Sequence, residues 1–507
     1  MSHVAQSDPY ARAAAKFALS CKLQSIQALI DWDAQTNMPR DGAWARGEQI
    51  GALAEVTSDL TGTPEIGALL DEAQGYADAL DAADRANLAE MRRLWVHRAA
   101  VPKELVVERA RVSQALQAVW RDAKPNSDYA AFAPGFKTLM AIHKEVAAAK
   151  AAALNLSPYD AMIDEDDPGL TMAAIDPIFD DLAANLPGIL AAVRERQAGW
   201  PDVIEFSGDF SIAKQKALSE HLAVVVGHSP NSSRIDTAPH PFSMAHSPGD
   251  VRFTTRYSED KFRYSVTATL HEAGHSMYEL NLPRGLAFSP VGFARGATAH
   301  ESQSLMLEMM AGRSKEFLAF LAPLLHDYLG GDAACWAPKN VLNFFRRVDD
   351  DYIRVNADEI AYPLHVILRY RLERSLLSGD LGVDDVPGAW NEMFGELFGR
   401  VPPNHAKGCL QDIHWAAGLF GYFPNYALGE ALGAQLFERA CADDAAILPG
   451  LGKGDFKPYF AWVKPRIHEQ ASLKSFDDIV IAATGRKLSG DALKRHLKAR
   501  YLDEPLD

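Results

Sequence analysis

Thr267-Ala268-Thr269-Leu270-His271-Glu272-Ala273-Gly274-His275-Ser276-Met277-Tyr278-Glu279-Leu280 carries two histidines four positions apart. On a helix that spacing puts both imidazoles on one face, one turn apart, and nothing in the flanks breaks a helix. Both rings then reach a single tetrahedral zinc ion, at about 2.0–2.1 Å each. Glu272 flanks the same face, close enough to hydrogen-bond a water at the metal as general base without becoming a ligand. The HExxH pattern is short, and in a chain with 16 histidines it arises by chance in roughly a few per cent of proteins. A chance match sits on a solvated helix with no third ligand nearby.

A third ligand is available. Glu301, in His300-Glu301-Ser302-Gln303, follows 26 residues after His275 and opens another helical pattern whose buried side is Leu305, Met306 and Met309. A carboxylate from a neighbouring antiparallel helix completes a His2Glu set and leaves one position open, as catalytic zinc sites do. His300 competes with it, since a helix aims only one of two adjacent residues at a metal. The preference for Glu301 rests partly on the family resemblance given below.

Working outward, the first two hundred residues read as helix after helix. Alanine-rich stretches at 75–91 and 139–154 carry apolar residues at helical spacing. Turn signals stand at Met38-Pro39, Pro125-Asn126 and Pro168-Gly169, and no fixed-period repeat suggests a solenoid. Residues 227–250 are rich in Gly, Pro, Ser and His, the chemistry of a loop: a surface linker, or a cleft wall beside the site. Val251 to Tyr257 alternates as a strand, Ser258 to Lys261 turns, and Phe262-Arg263-Tyr264 is expected to return as its partner. Helical patterns resume to the end, notably over 341–377, stopped by Ser378-Gly379. The expected fold is mainly α, with a small β-ribbon beside the HExxH helix.

Composition bounds the function. Hydrophobic residues at 48% and charged residues at 23% suit a globular protein, and length alone allows two to four domains. A net charge of −16 repels phosphate backbones and anionic lipid, which argues against nucleic-acid and membrane partners. Cys21, Cys335, Cys409 and Cys441 are far apart and form no metal-binding spacing; they read as buried thiols in a reducing compartment. The opening MSHVAQSDPYARAAAKF has no basic flank followed by an apolar run, and no stretch of 18 apolar residues occurs. A soluble, cytoplasmic protein is expected.

Further motifs surround the histidine pair. Leu29-Ile30-Asp31-Trp32-Asp33 with Thr36, Met38-Pro39, Arg46 and Glu48-Gln49 precedes it, as do His240-Pro241-Phe242 and Asp250-Val251-Arg252-Phe253-Thr254. After it come His300-Glu301-Ser302-Gln303, Ile353-Arg354 with Ala357-Asp358-Glu359 and Tyr362, Gly408 to Trp415 (GCLQDIHW), and Gly421-Tyr422-Phe423-Pro424. In this order, from about residue 29 to 426, the chain resembles the thermostable carboxypeptidase family, the carboxypeptidase Taq type of zinc metallocarboxypeptidase. It departs from the family pattern around 227–234, where GHSPNSSR replaces a more glycine- and arginine-centred segment. The resemblance implies a largely helical fold with a deep substrate groove, removal of single residues from peptide C-termini, and a homodimer. It also implies one peptidase domain over 1–507, with an N-terminal helical part (1–226) and a metal-site part (227–507).

The resemblance suggests roles. The metal ligands are His271, His275 and Glu301, holding zinc, with cobalt or manganese as alternatives. Glu272 is the general base. Related helical peptidases nominate His414 and Tyr422 as donors to the developing oxyanion; without the resemblance His414 reads as a core histidine beside Trp415. A free C-terminal carboxylate calls for an arginine fork. Arg354 is preferred; Arg252 is the other candidate, or a structural partner of Asp250 or Asp358. Asp358 and Glu359 are expected in ion pairs or behind the ligands. His240 contacts substrate or orders its loop, Met306 lines a side-chain pocket or is plain core, and Trp32 and Asp33 pin an N-terminal helix over the groove. The competing readings are a zinc endopeptidase or dipeptidyl carboxypeptidase, and a non-catalytic helical peptide-binding protein.

Overall fold

A computed structural model describes residues 8–349 and 351–504. The first seven residues, part of the stretch read for a leader, lie outside the described residues, as do both ends of the 1–507 domain assignment. Nine helices come first: α1 (Pro9–Thr36), α2 (Ala43–Thr61), α3 (Pro64–Gln74), α4 (Ala82–Ala99), α5 (Lys103–Asn126), α6 (Tyr129–Leu154), α7 (Pro158–Asp166), α8 (Met172–Gln197) and α9 (Ile212–Val226). A small sheet follows, of β1 (Ser233–Thr237), β2 (Ser243–Ser247) and β3 (Asp250–Thr255). Then come α10 (Phe262–Leu280), α11 (Gly296–Leu305), α12 (Lys315–Leu329), α13 (Pro338–Arg346), α14 (Ala361–Ser378), α15 (Val386–Phe398) and α16 (Pro424–Asp443). Four shorter helices complete the order: α17 (Ile447–Leu451), α18 (Lys457–Arg466), α19 (Phe476–Thr484) and α20 (Asp491–Lys498).

Local chemistry sets many of these limits. Asp8, Asp81, Asp128, Ser157, Ser314 and Ser475 each accept a first-turn amide of the helix they precede. Gly379 ends α14 in the left-handed region at φ 93°. The stretch 75–91 is not one helix: after a 3-10 turn at Ala77–Ala79, the chain restarts at the Asp81 cap. The 341–377 pattern also divides. The Val348 amide is taken by the Gln197 side chain at 2.9 Å, and Asp358 accepts from the amides of Ile360 and Ala361 at 2.8 and 3.0 Å, opening α14 afresh.

The expected two-strand ribbon is corrected to a three-stranded sheet in the order β1-β3-β2. β1 runs parallel to β3, Ser233 opposite Val251, and β2 antiparallel, Ser243 opposite Phe253, with an irregularity between Ala245 and Ser247. Phe262-Arg263-Tyr264 do not return as a strand; they are the first turn of α10. Phe262 sits in an aromatic cluster with Phe206, Phe210, Trp336 and Phe344. With Val266 and Leu270 it forms a buried stripe at four-residue spacing along one face of the helix.

One large apolar core runs from Val101 to Tyr501 and holds α10, α11, α14 and α16 at its centre. A second, small core joins α1, α3 and α4 through Tyr10, Phe17, Leu69, Leu70 and Met91. Trp32 ties α1 to the sheet: its Nε1 donates to Asp236 at 3.2 Å and its ring meets Phe242 and His246 edge-on. All four cysteines are free thiols, three of them buried. Among the described residues no helix is long and apolar enough to cross a membrane.

Candidate metal centre

The HEAGH helix owes its place to the glycine inside the motif. A Cβ on Gly274 would lie 2.3 Å from the Gln303 carbonyl oxygen and 2.6 Å from the Ser304 Cα, so only glycine lets α10 and α11 touch backbone to backbone. That approach brings His271, His275 and Glu301 together, with one ligand atom from each inside a 4.8 Å span. His271 Nε2 is 3.8 Å from Glu301 Oε1, and His275 Nε2 is 3.5 Å from Glu301 Oε2. These separations exceed a good hydrogen bond, and the buried Glu301 Oε1 has no hydrogen-bond partner.

Each histidine is oriented from behind. His271 Nδ1 lies 2.9 Å from Glu308 Oε2. His275 Nδ1 lies 2.6 Å from His300 Nδ1, and His300 Nε2 is 2.8 Å from Glu279 Oε1. The acceptors assign the tautomers. Glu279 takes the His300 Nε2 proton, so His300 Nδ1 accepts from His275 Nδ1–H, and Nε2 of His275 keeps its lone pair. Glu308 does the same for His271. His300 therefore stands behind a candidate ligand, the arrangement that tunes metal-binding histidines.

Charge points the same way. Burial opposes protonation of His271, but the carboxylates of Glu308, Glu301 and Glu272 outweigh it and hold its pKa up to about 10. Burial instead lowers His275 to about 4, against the pull of Glu301. The carboxylates thus draw a proton onto His271 while His275 stays neutral, and an orphaned carboxylate oxygen lies between them. This excess of buried negative charge fits a divalent cation in place of that proton. Beside them Glu272 is 5% exposed, with Oε2 unpartnered. Burial, with Glu301 and Glu308 adding and His271 opposing, pushes its carboxyl up to about 7, where a general base works well at neutral pH.

A second cluster gathers from the 3-10 turn Arg354–Asn356 before α14, from α14 and α16, and from the loop between α15 and α16. Arg354 gives Nε and Nη2 to Asp412 Oδ1 at 3.2 and 2.9 Å, and its guanidinium lies over Tyr426 at 4.8 Å. Arg369 holds the other Asp412 oxygen at 2.7 Å. His414 Nε2 is 3.1 Å from the Tyr426 hydroxyl, its ring lies 4.5 Å from Phe423, and its buried Nδ1 has no hydrogen-bond partner, with Asp412 Oδ1 4.0 Å away. Burial, reinforced by Arg354, lowers His414 to about 3 and keeps it neutral. Tyr422 is 6.3 Å from His414 and 5.5 Å from Tyr426, ring to ring. Burial raises both tyrosines, and each also feels the Glu301 carboxylate.

The remaining expected residues lie elsewhere. Arg252 is bound on both sides to Asp250, at 2.8 and 2.7 Å along the same face of β3. His240 is exposed in the connection between β1 and β2. Its pKa is lowered by partial burial and by Arg256 and Lys124. Met306, expected at a side-chain pocket, is a core residue: it is 1% exposed and its sulfur accepts from the Tyr459 hydroxyl. Trp32 is buried against the sheet, and Asp33 pairs with Arg46 of α2 at 2.6 Å. Sequence reasoning missed Glu308, Glu279, Arg369 and Tyr426. Glu308 carried a signal, a lone acid inside the apolar run Leu305 to Met310.

The profile of the carboxypeptidase Taq (M32) metallopeptidase family matches residues 13–501. The chain belongs to this family. Thermostable carboxypeptidase 1 of Thermus thermophilus is 34% identical over 494 residues, covering 94% of this M32 chain and 95% of the relative. Carboxypeptidase 1 of Bacillus subtilis is 31% identical over 479 residues, 94% of each. Among solved structures, Trypanosoma cruzi metallocarboxypeptidase 1 superposes with a TM-score of 0.95 at 36% identity, covering 98% of this chain and 99% of that one. The Pyrococcus furiosus carboxypeptidase structure reaches 0.93 at 29% identity, with 98% and 99% covered. As an M32 metallocarboxypeptidase the chain is a metal-dependent peptide hydrolase, and the mainly helical fold expected from its sequence is the fold of these relatives.

Proposed function

We propose that this M32 chain releases single amino acids from peptide C-termini at a zinc ion held by His271, His275 and Glu301. The observation that carries this reading is Glu272, a buried, unpartnered carboxyl with a pKa near neutrality, standing beside three convergent ligands. When bound, zinc supplies a Lewis acid that acidifies water and polarises a carbonyl; cobalt or manganese are alternative occupants. Glu272 takes the proton of the attacking water and passes it to the leaving amine. Neutral His414 and the raised tyrosines Tyr422 and Tyr426 are donors for the oxygen that gains charge.

Arg354 receives the substrate's terminal carboxylate. Asp412 holds the guanidinium by Nε and Nη2, which fixes its plane before substrate arrives and lowers the ordering cost of binding. Arg252 is held by Asp250 in the same way. It is the lesser candidate because the Arg354 guanidinium also lies over Tyr426, whose hydroxyl meets His414, and His240 contacts the peptide from the sheet side. In this reading 1–507 is one peptidase domain; the core running through both its parts supports that. Leu19, Ile26 and Leu29 on α1 and Trp44 and Val56 on α2 are exposed, which supports a homodimer through an apolar face. Unpaired thiols support a cytoplasmic site of action.

The test is product analysis by mass spectrometry on N-blocked peptides, with metal content measured on the same preparation. Single C-terminal residues should be released, and both chelation and amidation of the C-terminus should stop release. Dipeptides or internal fragments would replace this reading with a dipeptidyl carboxypeptidase or an endopeptidase. Binding without turnover would mark a non-catalytic peptide-binding protein.

A further inference from the structure

Between α11 and α12 the chain makes a π-helical turn, Met306–Ala311, that carries Glu308. The Gly312 amide bonds the Leu307 carbonyl five residues back at 2.9 Å, in place of the Glu308 carbonyl an α-helix would use. The widened turn has an outside support. Arg500, in a second π-helical turn at Ala499–Asp503, donates Nη1 to the Met309 carbonyl and Nη2 to the Met310 carbonyl, each at 2.6 Å. Nη1 also reaches Glu359 Oε1 at 2.5 Å. Arg500 is nine-tenths buried and Glu359 fully so. Between them Arg313 lies 3.4 Å from Glu308 and 4.0 Å from Glu359. The segment bearing Arg500 is itself tied down. Arg196 donates to the carbonyls of Tyr501 and Glu504 at 2.8 and 2.7 Å, and Arg346 reaches the Glu504 carboxylate at 2.7 Å.

We infer that Arg500 is a positioning residue for the metal centre, acting through the π-helical turn to aim Glu308 at His271. A π turn carries one residue more than the α path it replaces, so relaxing it rotates the residues beyond the extra one by about 100°. Such a rotation takes Glu308 off the His271 Nδ1 proton and frees that ring to change tautomer. The planar guanidinium fork spans two adjacent carbonyls and a carboxylate together; an ammonium cannot. The inference rests on His271, His275 and Glu301 being the metal site.

The test uses full-length protein stripped of metal, then titrated with zinc against a chromogenic chelator and with cobalt followed by its visible spectrum. Glu308→Gln should weaken zinc binding about 10–100-fold. Arg500→Met should lose affinity to a similar degree and change the cobalt spectrum in the same way, and Arg500→Lys should recover only part of it. Glu308→Gln with Arg500→Met should bind no more weakly than the worse single variant. Wild-type affinity in Arg500→Lys or in a folded Arg500→Met overturns the inference, as does an additive loss in the double variant. Should Arg500→Met not fold, the Lys variant decides alone. If wild-type protein takes up no zinc, or keeps its affinity in His271→Ala, the metal-site reading itself fails and this inference with it.

Discussion

Glu301 is pressed against Gly429 of α16: a Cβ on that glycine would lie 2.8 Å from both Cβ and Cγ of the glutamate. The proposed third ligand is therefore held from behind by bare backbone. Gly429→Ala should cost about 1–3 kcal/mol of stability through overpacking. It should also lower metal affinity by an order of magnitude or more by displacing the carboxylate. Chelator competition alongside thermal unfolding checks both; an alanine variant with unchanged affinity would show that Glu301 has room to give.

Glu272→Gln preserves shape and removes the proposed base. The variant should keep its metal, since Glu272 is not one of the three convergent ligands, and kcat should fall by about 10²–10⁴. Metal analysis and steady-state kinetics on the same sample decide it. Full activity in a metal-loaded variant refutes the assignment.

For the terminal carboxylate, Arg354→Lys is more informative than a neutral substitution. Removing the charge leaves Asp412 with one buried arginine instead of two, a change of the kind that costs about 3–5 kcal/mol. Lysine keeps the charge and loses the fork. KM for peptides with a free C-terminus should rise about tenfold or more, with a smaller change in kcat. Arg252→Lys should leave KM nearly unchanged; the reverse pattern would exchange their roles.

Acid should destabilise the fold through histidines held neutral. His143 is fully buried with neither ring nitrogen bonded, and burial, with Arg109 and Lys150 adding, pushes its pKa down to about 3. Its folded pKa lies below the unfolded value of about 6.5. Between those values the unfolded state binds more protons, and stability falls as pH falls. At pH 4.5 this one residue accounts for a loss on the order of 2–3 kcal/mol. His143→Phe should make the decline of stability between pH 7 and 4.5 shallower in urea unfolding; an identical slope sinks the explanation.

The two helices that carry the proposed ligands could be read from the chain because their information is local. A four-residue spacing brings His271 and His275 into view, and the nearby His300-Glu301 pair offers a third group, with the family resemblance helping to choose Glu301. The sheet hid for the opposite reason. β1 and β2 are built from Ser-Arg-Ile-Asp-Thr and Ser-Met-Ala-His-Ser, which have the composition of loops and become strands only through β3. The alternation at β3 was visible, but its partners were not, because Phe262 could be taken for the start of a returning strand. Arg354 was legible as a cation, but not its commitment to Asp412 alongside Arg369, since that depends on the packing of α14 against a distant loop. Glu308 lies 37 residues from the histidine it supports, and no spacing rule reaches that far. His300 was visible only as a rival to Glu301; its place behind His275 depends on how α10 and α11 meet.

The division into a large core and a small one affects how the molecule comes apart. α2 buries only Thr57 and Thr61 along its whole length, and Trp44 at its start is 79% exposed. Little apolar surface is lost when that helix opens, so its amides belong to the low end of local unfolding free energies, whereas those of α10 and α11 are set by global unfolding. In the isolated chain α2 is therefore the first helix to open, and a homodimer that covers Trp44 and Val56 would raise its protection towards that of α10 and α11.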